Sequence, residues 1–423
     1  MCPPNLKALG GTSDIFPSDS DAWQQLESLA RHTAHLYGFR EIRTPLIEEA
    51  AVFTGALGST TEVVTKQMYQ FEDRGGRRVV LRPEGTASIV RAFIEKGLDK
   101  TGGLVRLYYM GPMFRAERPQ AGRRRQFHQF GAEMFGSASP YSDVETIAVL
   151  KRILDSWGLT GWKLKINSLG TPEDRSRILD FIRQKLEPHK DKFSPEELER
   201  LEKNPLRILD SKEPVCQVLC GAIDFSEVIA DESLDRFDQV LRTLGHMDIP
   251  FERDPLLVRG LDYYTHTVFE VVHPALGAQD ALGGGGRYDG LVQGMGGVST
   301  TAVGFAIGLE RVLIALEALK AVPATTKQPA VYVATTDPAE IPEGLLQAEQ
   351  LRERSIEAVV NLEDRPLKRQ FDQANKLGCR FVIVRGAAER EKKVVTVKDM
   401  NSREQRELTQ ADWLATMADL VKE

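Results

Sequence analysis

The chain opens with apolar residues at helical spacing and continues with shorter, strand-like runs. Between Asp19 and Tyr37 the apolar positions recur every three or four residues, which predicts an amphipathic helix that Gly38 ends. The strand-like run that follows is interrupted by Pro45, which cannot donate a ladder hydrogen bond and so belongs at a sheet edge or an interface. This helix and broken strand either cap a sheet or form a self-association surface.

The most informative pattern lies between Val105 and Phe135, where two apolar runs flank a polar segment and predict strand, loop and strand. Side chains alternate between faces along the returning strand. One face, expected to pack on helices, carries His128, Phe130, Ala132 and Met134. The other face carries Phe127, Gln129, Gly131 and Glu133. We expect it to form the floor of a pocket for a flat, polar, partly cationic ligand. The alternative is an ordinary hairpin with a solvated arginine turn.

A second short β run, Val79 to Thr86, stops at Arg82 and Pro83 and leads into a predicted helix. Two interpretations of its end remain open. Thr86 caps the helix, with Glu84 favourable near the helix N-terminus. Alternatively, Glu84 is a carboxylate held at a sheet edge to receive an ammonium group.

Further along, a helix is predicted from Tyr141 to Trp157 and a strand over residues 162–170. Residues 171–246 combine capping signals with helical spacing and dense charge, which predicts a helical insertion whose charges form mainly a solvated face. Strand-like spacing returns at Asp254, and Arg259 interrupts it. A buried arginine is costly unless anions meet it, so Arg259 is a functional candidate.

The glycine-rich run Gly283 to Gly290 matches neither a P-loop nor GxGxxG. It indicates either a backbone that closely approaches a ligand or a tight hairpin. From Ala302 a strand and then a helix are predicted, with Arg311 in the first turns of the helix. Beyond a linker-like segment at 321–329, strands alternate with helices, which predicts a small, mostly parallel α/β domain over 330–423.

Composition places these elements in a globular protein of two or three domains. The chain has 423 residues, 42% hydrophobic and 27% charged, with a net charge of -6. No apolar run approaches the roughly 20 residues that span a bilayer, and the start lacks a signal-peptide pattern, so a cytoplasmic location is expected. Basicity is local: Arg115 to Arg125 holds five arginines and one carboxylate, which indicates local phosphate contacts rather than coating of nucleic acid.

The four cysteines do not indicate a metal site. Cys216 and Cys220 have helical spacing, but no second Cys or His pair lies near them in the sequence. Buried or neutral thiols are the expectation, and no metal ligand is assigned to the chain.

Three segments together resemble the signature motifs of class II aminoacyl-tRNA synthetases. They are the strand at Pro45, FRAE at 114–117 and GFAIGLER at 304–311. Four others are similar to the histidyl-tRNA synthetase family in particular: LRPEGT at 81–86, RQFHQFGAE at 125–133, RGLDYYT at 259–265 and GGRYDGL at 285–291. The resemblance covers essentially the whole chain. One departure is Gly10, where the family more often has arginine, and it puts only a local contact in doubt.

The resemblance implies an α+β fold: an antiparallel β-sheet catalytic domain with flanking helices and a helical insertion, plus a C-terminal α/β anticodon-binding domain. The implied boundaries are 1–170 and 247–320 for the catalytic domain, 171–246 for the insertion, 321–329 for the linker and 330–423 for the anticodon-binding domain.

The implied function is ATP-dependent ligation of L-histidine to tRNA(His) through a histidyl-adenylate, with release of AMP and pyrophosphate and with Mg²⁺ accompanying ATP. A homodimer is also implied. The alternative is a noncatalytic, synthetase-like regulatory subunit of histidine biosynthesis, which would lack the C-terminal domain and the intact arginine motifs. A generic RNA-binding module is a third interpretation, and it leaves a two-ended amino acid pocket unexplained.

Motif matches also imply residue roles. Arg115 and Arg259 are the predicted catalytic residues, holding the α-phosphate and bridging it to the substrate carboxylate. The predicted histidine-binding residues are Glu84, Gly85, Thr86, Arg115, Gln129, Glu133, Arg259, Tyr263 and Tyr264. The predicted ATP-binding residues are Arg115, Glu117, Arg123, Phe127 and Arg311. Arg118, Gln120 and Arg124 are candidates for contact with the tRNA acceptor end.

Overall fold

A computed structural model describes residues 6–57, 61, 63–118, 122–211, 213–322 and 331–421, with only the backbone described at positions 57, 278 and 279. Gln120 and most of the predicted linker lie outside the described residues. The chain divides into two compact units, Met1–Pro323 and Ala324–Glu423. Each unit is described by itself below.

The N-terminal unit combines strands and helices. Its strands are β1 (Arg40–Glu41), β2 (Ile47–Glu49), β3 (Tyr69–Glu72), β4 (Arg78–Leu81), β5 (Val105–Phe114), β6 (Gln126–Phe135), β7 (Lys163–Ser168), β8 (Glu252–Arg253), β9 (Thr265–Val272), β10 (Ala281–Arg287) and β11 (Ala302–Gly308). Its α-helices are α1 (Pro17–Leu36), α2 (Ala50–Leu57), α3 (Thr86–Glu95), α4 (Leu98–Thr101), α5 (Pro140–Ser156), α6 (Pro172–Leu186), α7 (Pro195–Lys203), α8 (Pro214–Gly221), α9 (Asp231–His246), α10 (Leu291–Gly294) and α11 (Leu309–Ala318). Shorter helical turns are Val63–Gln67, Glu187–Lys192, Pro205–Ile208, Phe225–Glu227 and Pro274–Gln279.

A large sheet forms the centre of this unit. Its order over the described residues is β1-β5-β6-β11-β10-β9-β7-β8. The strands from β5 to β7 pair antiparallel, and only the outer strands β1 and β8 run parallel to their neighbours. The predicted α+β class is therefore confirmed, with the sheet mostly antiparallel.

Helices cover one face of the sheet. The alternation along β6 turns Phe130, Ala132 and Met134 toward α1, α5 and α11, where they join the main hydrophobic core. His128, on the same face, meets the Trp23 ring edge-on with 5.0 Å between ring centroids. The other face of β6 carries the polar Gln129 and Glu133, and at its end Phe135 stacks on Phe93 of α3.

The interruption predicted at Pro45, and its place at a sheet edge, are confirmed. Pro45 lies in the connection between β1, which pairs with β5, and β2, which pairs with β4 in a separate sheet of order β2-β4-β3. β1 and β2 each lie at the edge of their own sheet. An edge is where a neighbouring proline is tolerated, because proline cannot donate a ladder hydrogen bond. Exposed apolar side chains follow Pro45 at Leu46 and Ile47, and Phe71 is exposed on β3 of the same small sheet.

Residues 171–246 are helical, as the charge and capping pattern predicts. Thr171 and Asp174 form a capping box at the start of α6, and the helices up to α8 enclose a core of their own. The last helix, α9, instead packs on α5 and contributes Phe237, Val240 and Leu244 to the main core. Cys216 and Cys220 are buried free thiols in α8.

The glycine-rich run does not form a tight hairpin. Residues up to Arg287 form β10, a central strand between β9 and β11. A Cβ atom at Gly285 would lie 2.0 Å from the carbonyl oxygen of Gly304, so the close approach of these strands requires glycine. The predicted strand at Asp254 is also wrong, because β9 begins only at Thr265.

The C-terminal unit has a smaller sheet. Its strands are β12 (Val331–Thr335), β13 (Ala358–Val360), β14 (Phe381–Arg385), β15 (Val394–Asp399) and β16 (Gln405–Thr409), and its helices are α12 (Ile341–Arg352), α13 (Leu367–Leu377), α14 (Ala387–Lys392) and α15 (Trp413–Leu420), with a short turn at Pro338–Glu340. The order is β13-β12-β14-β15-β16, with the first three strands parallel and the last two antiparallel. Across the described part of both units, no helix has the length and apolar character needed to cross a membrane.

Candidate active site

A cavity of about 250 Å³ opens on the face of the sheet opposite α1, α5 and α11. The predicted site residues that line it are Glu84, Thr86, Arg115, Glu117, Arg123, Arg124, Phe127, Gln129, Glu133, Arg259, Tyr263, Tyr264 and Arg311. Gly85 and Arg118 are not among the lining residues, and Gln120 lies outside the described residues. Segments far apart in the sequence therefore meet at one cavity.

Glu133 lies at the closed end of the cavity and is fully buried. One carboxylate oxygen accepts a hydrogen bond from the Thr86 hydroxyl at 2.7 Å, and the other accepts one from the Tyr288 hydroxyl at 2.5 Å. Burial raises the pKa of Glu133 to about 8, although both hydrogen bonds favour the ionised form. A carboxylate has about four acceptor positions, so Glu133 retains capacity for a further donor.

Glu84 lies where β4 leads into α3. Its two oxygens accept the backbone N–H groups of Thr86 at 2.7 Å and Ala87 at 2.8 Å, which caps the helix. Burial raises the pKa of Glu84, while these backbone hydrogen bonds oppose the shift. Capping by the Thr86 side chain is wrong, because that hydroxyl donates to Glu133 instead. Glu84 both caps α3 and lines the cavity.

Gly85 supports the site by leaving room for the ring of Tyr109. A Cβ atom at Gly85 would lie 2.1 Å from this ring, and one at Gly131 would lie 2.3 Å from it. The phenol of Tyr109 is thus held between two glycines beside the cavity wall. Its hydroxyl is buried with no hydrogen-bond partner among the described residues.

Arg115 and its neighbours form the wall of the cavity nearest the central loop. The Arg115 guanidinium lies 5.2 Å from the centre of the Phe127 ring and donates through Nε to the carbonyl of Pro83 at 3.0 Å. Glu117 is 4.0 Å from Arg115 and 3.4 Å from Arg123. Burial lowers the pKa of Arg115, which still remains a cation because a guanidinium group loses its proton only far above neutral pH.

Arg259 and Arg311 reach the cavity from other segments. Arg259 forms an ion pair with Glu270 on β9, which supplies the anion that a buried arginine needs. Arg311, in the first turn of α11, donates to the carbonyl oxygens of Gly122 and Ala281. Three guanidinium groups from distant parts of the chain therefore converge on one space.

Aromatic and amide groups complete the closed end. The rings of Tyr263 and Tyr264 are 4.6 Å apart, and those of Tyr263 and Tyr288 are 5.5 Å apart. The side-chain oxygen of Gln129 is buried without a hydrogen-bond partner in the described part of the chain. It is therefore an acceptor available to a ligand.

Sequence reasoning missed three residues at this site. Glu270 pairs with Arg259, Tyr288 binds Glu133, and Glu310 accepts from the backbone and ring of His128 at 2.9 to 3.0 Å. Tyr288 lies within GGRYDGL and Glu310 within GFAIGLER, so their places in these motifs could have identified them. Glu270 had a weaker signal, a lone carboxylate on a strand between apolar Phe269 and Val271.

The two described candidates for contact with the tRNA acceptor end, Arg118 and Arg124, have different surroundings. Arg118 is exposed, and Arg124 lines the cavity and donates to the hydroxyl of Ser13. Arg125 donates to the carbonyl of Gly10 at 3.2 Å, so the position that departs from the family pattern contacts the loop through its backbone.

The profile of the family described as "Histidyl-tRNA synthetase" matches residues 11–312, and that described as "Anticodon binding domain" matches residues 331–420. The chain is 44% identical over 416 residues to the histidine--tRNA ligase of Gloeothece citriformis, which covers 98% of this chain and 96% of the relative. The chain belongs to the histidyl-tRNA synthetase family.

Solved structures agree with membership in the histidyl-tRNA synthetase family. The apo histidyl-tRNA synthetase of S. aureus superposes with a TM-score of 0.82 at 34% identity, covering 98% of this chain and 100% of that chain. A Bacillus halodurans chain titled as an ATP phosphoribosyltransferase regulatory subunit/histidyl-tRNA synthetase reaches a TM-score of 0.66 at 20% identity, covering 92% of this chain and 100% of that chain. The second likeness shows the fold alone.

Proposed function

We infer that this protein catalyses the ATP-dependent ligation of histidine to tRNA. The observation that carries this conclusion is the two-ended cavity, in which buried carboxylates stand at one end and arginines at the other, in a chain similar over nearly its whole length to histidine--tRNA ligases. A regulatory subunit without catalytic activity is less well supported, because the arginine motifs and the C-terminal unit are both present.

The carboxylate end is suited to histidine. We propose that Glu133 accepts the imidazole N–H, with Gln129 and the Tyr263 and Tyr264 rings enclosing the side chain. Glu84 and the neighbouring Thr86 would receive the α-ammonium group. A site that hydrogen-bonds both ends of its substrate rejects an analogue lacking those groups by up to about 10⁵-fold, because its own buried groups are left unpaired.

The arginine end is suited to ATP. Phe127 would stack on the adenine ring, with Glu117 accepting from its amino group. Arg115 would hold the α-phosphate, and Arg123 and Arg311 the outer phosphates. Guanidinium groups fit this task because they are permanently charged and offer five fixed donors.

The first chemical step joins two anions. A histidine carboxylate oxygen forms a bond to the α-phosphorus while the bond to pyrophosphate breaks. The protein must align the reactants and offset their repulsion, and Arg259 and Arg115 are proposed to do so by contacting both the carboxylate and the α-phosphate. This step needs no general base, because the attacking oxygen carries no proton.

The second step transfers the histidyl group to tRNA. The oxygen of a terminal ribose hydroxyl forms an ester bond to the histidyl carbonyl carbon while the bond from that carbon to the phosphate oxygen of AMP breaks. AMP leaves, and the hydroxyl proton is released. The C-terminal unit, which the anticodon-binding profile matches, would hold the other end of the tRNA. Arg118, Gln120 and Arg124 stay candidates for the acceptor end.

Magnesium is expected to enter with ATP. Within the described residues, no cluster of three or more His, Cys, Asp or Glu side chains could hold a metal ion alone. Mg²⁺ commonly binds through one or two carboxylates plus substrate phosphates, so most of its ligands would come from ATP. When bound, the ion would offset phosphate charge.

Assembly, location and domain boundaries are also part of the proposal. A homodimer is supported by the exposed apolar side chains of Leu46 and Ile47 after Pro45 and of Phe71 in the same small sheet, and sedimentation of wild type and Ile47→Asp would test it. A cytoplasmic location is consistent with the buried free thiols of Cys216, Cys220 and Cys379. The catalytic domain would comprise 1–170 and 247–320, around the insertion at 171–246.

The deciding experiment is ATP–pyrophosphate exchange with each standard amino acid, followed by charging of tRNA with the accepted one. Exchange that depends on histidine, with transfer to tRNA(His), is the expected result. Absence of exchange with every amino acid, together with histidine binding, would favour the regulatory subunit.

A further inference from the structure

The loop that carries Arg259 is fastened to the helical insertion. This loop, residues 254–264 between β8 and β9, is here named the arginine loop. The Asp262 carboxylate accepts hydrogen bonds from Arg175 at 3.2 Å and from the Asn204 side chain at 3.3 Å, and its carbonyl accepts another from Arg175. Both donors belong to the insertion.

A second polar tether lies on the other side of Leu261. The Arg207 guanidinium donates to the carbonyl oxygen of Gly260 at 2.7 Å. Gly260 directly follows Arg259, so this bond fixes the peptide next to the residue whose side chain enters the cavity. Hydrogen bonds from charged donors are among the stronger ones in proteins.

Apolar contacts fasten the stretch that precedes Arg259. Leu256 packs against the hydrophobic core of the insertion, Leu257 is buried in the core beside the cavity, and Val258 packs against both. This stretch therefore joins the core of the insertion to the core beside the cavity. Arg259 lies between the apolar contacts and the polar tethers.

The insertion as a whole is not basic, so these contacts are not part of a general nucleic-acid-binding surface. Residues 171–246 contain 12 Lys and Arg against 17 Asp and Glu. Many of the cations pair within one helix at i,i+3 or i,i+4 spacing, as Arg183 does with Asp180 and Lys203 with Glu199. Arg175 and Arg207 differ because they reach out of the insertion to the arginine loop.

We propose that Arg175, Asn204 and Arg207 are positioning residues for adenylate formation: they hold the arginine loop so that Arg259 points into the cavity. This inference rests on the proposed function. None of the three lines the cavity. Their effect would pass through Arg259, and a displacement of the insertion relative to the sheet would withdraw Arg259 from the reacting groups.

The expected size of the effect follows from the geometry of the reaction. A misplacement of about 1 Å at a positioned group can cost on the order of 10²-fold in rate. Arg207→Ala and Arg175→Ala should therefore lower the rate of histidyl-adenylate formation about 10 to 100-fold. The histidine KM should change less, because the Glu133 end of the cavity is left intact. Arg207→Lys, which keeps a donor, should recover part of the loss.

A double-mutant cycle separates positioning from general structural damage. Single-turnover adenylate formation, with enzyme in excess, is measured for wild type, Arg207→Ala, Arg259→Ala and the double variant. If Arg207 acts through Arg259, Arg207→Ala should cause no further loss in the Arg259→Ala background. Thermal unfolding of each variant checks that the insertion remains folded, and Arg183→Ala is the matched control for loss of an insertion arginine.

Two outcomes overturn the inference: an unchanged rate in both Arg207→Ala and Arg175→Ala, or an equal fold-loss with and without Arg259. Failure of the proposed function is recognised separately, because wild-type protein would then form no histidyl-adenylate.

Discussion

Glu133 and Gly304 are paired across antiparallel strands, and the carboxylate of Glu133 fills the space where a side chain at position 304 would lie. A Cβ atom at 304 would lie 1.6 Å from a carboxylate oxygen of Glu133 and 2.7 Å from the carbonyl oxygen of Ala132. A glycine on one strand thus sets the place of the acidic group on the next.

Gly304→Ala should therefore damage histidine recognition more than ATP binding. The methyl group forces the Glu133 carboxylate away from Thr86 and Tyr288, so the histidine KM should rise about 10 to 100-fold, as expected when a positioned group moves by about 1 Å. Exchange assays at varied histidine and ATP check this. Gly245→Ala, on α9 where a Cβ meets nothing within 4 Å, is the control. Equal effects on both substrates would contradict the expectation.

The pKa of Glu133 predicts a pH dependence of histidine binding. Because burial raises this pKa from its usual 4.5 to about 8, the free enzyme holds the proton below that pH. The imidazole N–H requires an acceptor, so the histidine KM should rise as pH falls from 9 to 7, by up to about tenfold per unit below the pKa. Glu133→Gln should weaken histidine use and remove the dependence. A histidine KM that is flat over this range in wild type would contradict the assignment.

The same shift has a consequence for stability with the opposite trend. The folded state binds this proton more tightly than the unfolded state, so the contribution of Glu133 is present at acidic pH and is lost as pH rises from 4.5 through about 8. Denaturant unfolding of wild type and Glu133→Gln over that range checks the sign. As pH rises, the free energy of unfolding of wild type should fall relative to that of Glu133→Gln.

The sequence predicted the placement of Glu133 better than that of Arg259, for a physical reason. β6 is uninterrupted, so strict alternation assigned each side chain to a face, and Phe130 and Glu133 indeed lie on opposite sides. Arg259 lies in a loop without a period. Its partner Glu270 and its tethers to the insertion depend on contacts between distant segments, which local patterning cannot reveal. The charge of the insertion was likewise expected to be mainly solvated, yet Arg175 and Arg207 hold that loop.

Arg259→Ala should slow adenylate formation steeply. Removing a preorganised cation from a developing charge costs on the order of 10² to 10³ in kcat. Histidine affinity should change less, because Glu133 and Glu84 remain. Pyrophosphate exchange measures the rate, and Arg253→Ala, an exposed arginine on β8, is the control. Exchange at the wild-type rate would refute the role.

Arg82 links the segment before Pro45 to β5. It is 5% exposed, and its guanidinium donates to Pro112 O at 3.0 Å, Thr44 O at 3.1 Å and Thr44 Oγ1 at 3.0 Å. Arg82→Met keeps much of the volume but leaves these acceptors without their donor, so it should lower the free energy of unfolding by about 2 to 4 kcal/mol. Denaturant titration checks this against Arg78→Met, a change at an exposed position of β4, the strand that Arg82 follows. A loss as small as that of the control would contradict the linking role.

Arg118 offers a test of transfer apart from adenylation. It is exposed and does not line the cavity, so Arg118→Ala should leave pyrophosphate exchange within about twofold of wild type, as is usual for surface changes. If its guanidinium contacts the acceptor end, the tRNA KM should rise and the salt dependence of charging should become shallower, since one phosphate contact is lost. Arg74→Ala, an exposed arginine in the turn between β3 and β4, is the matched control. Unchanged discrimination among acceptor-stem variants of the tRNA would remove Arg118 from the interface and leave Arg124, which also lines the cavity, as the described candidate.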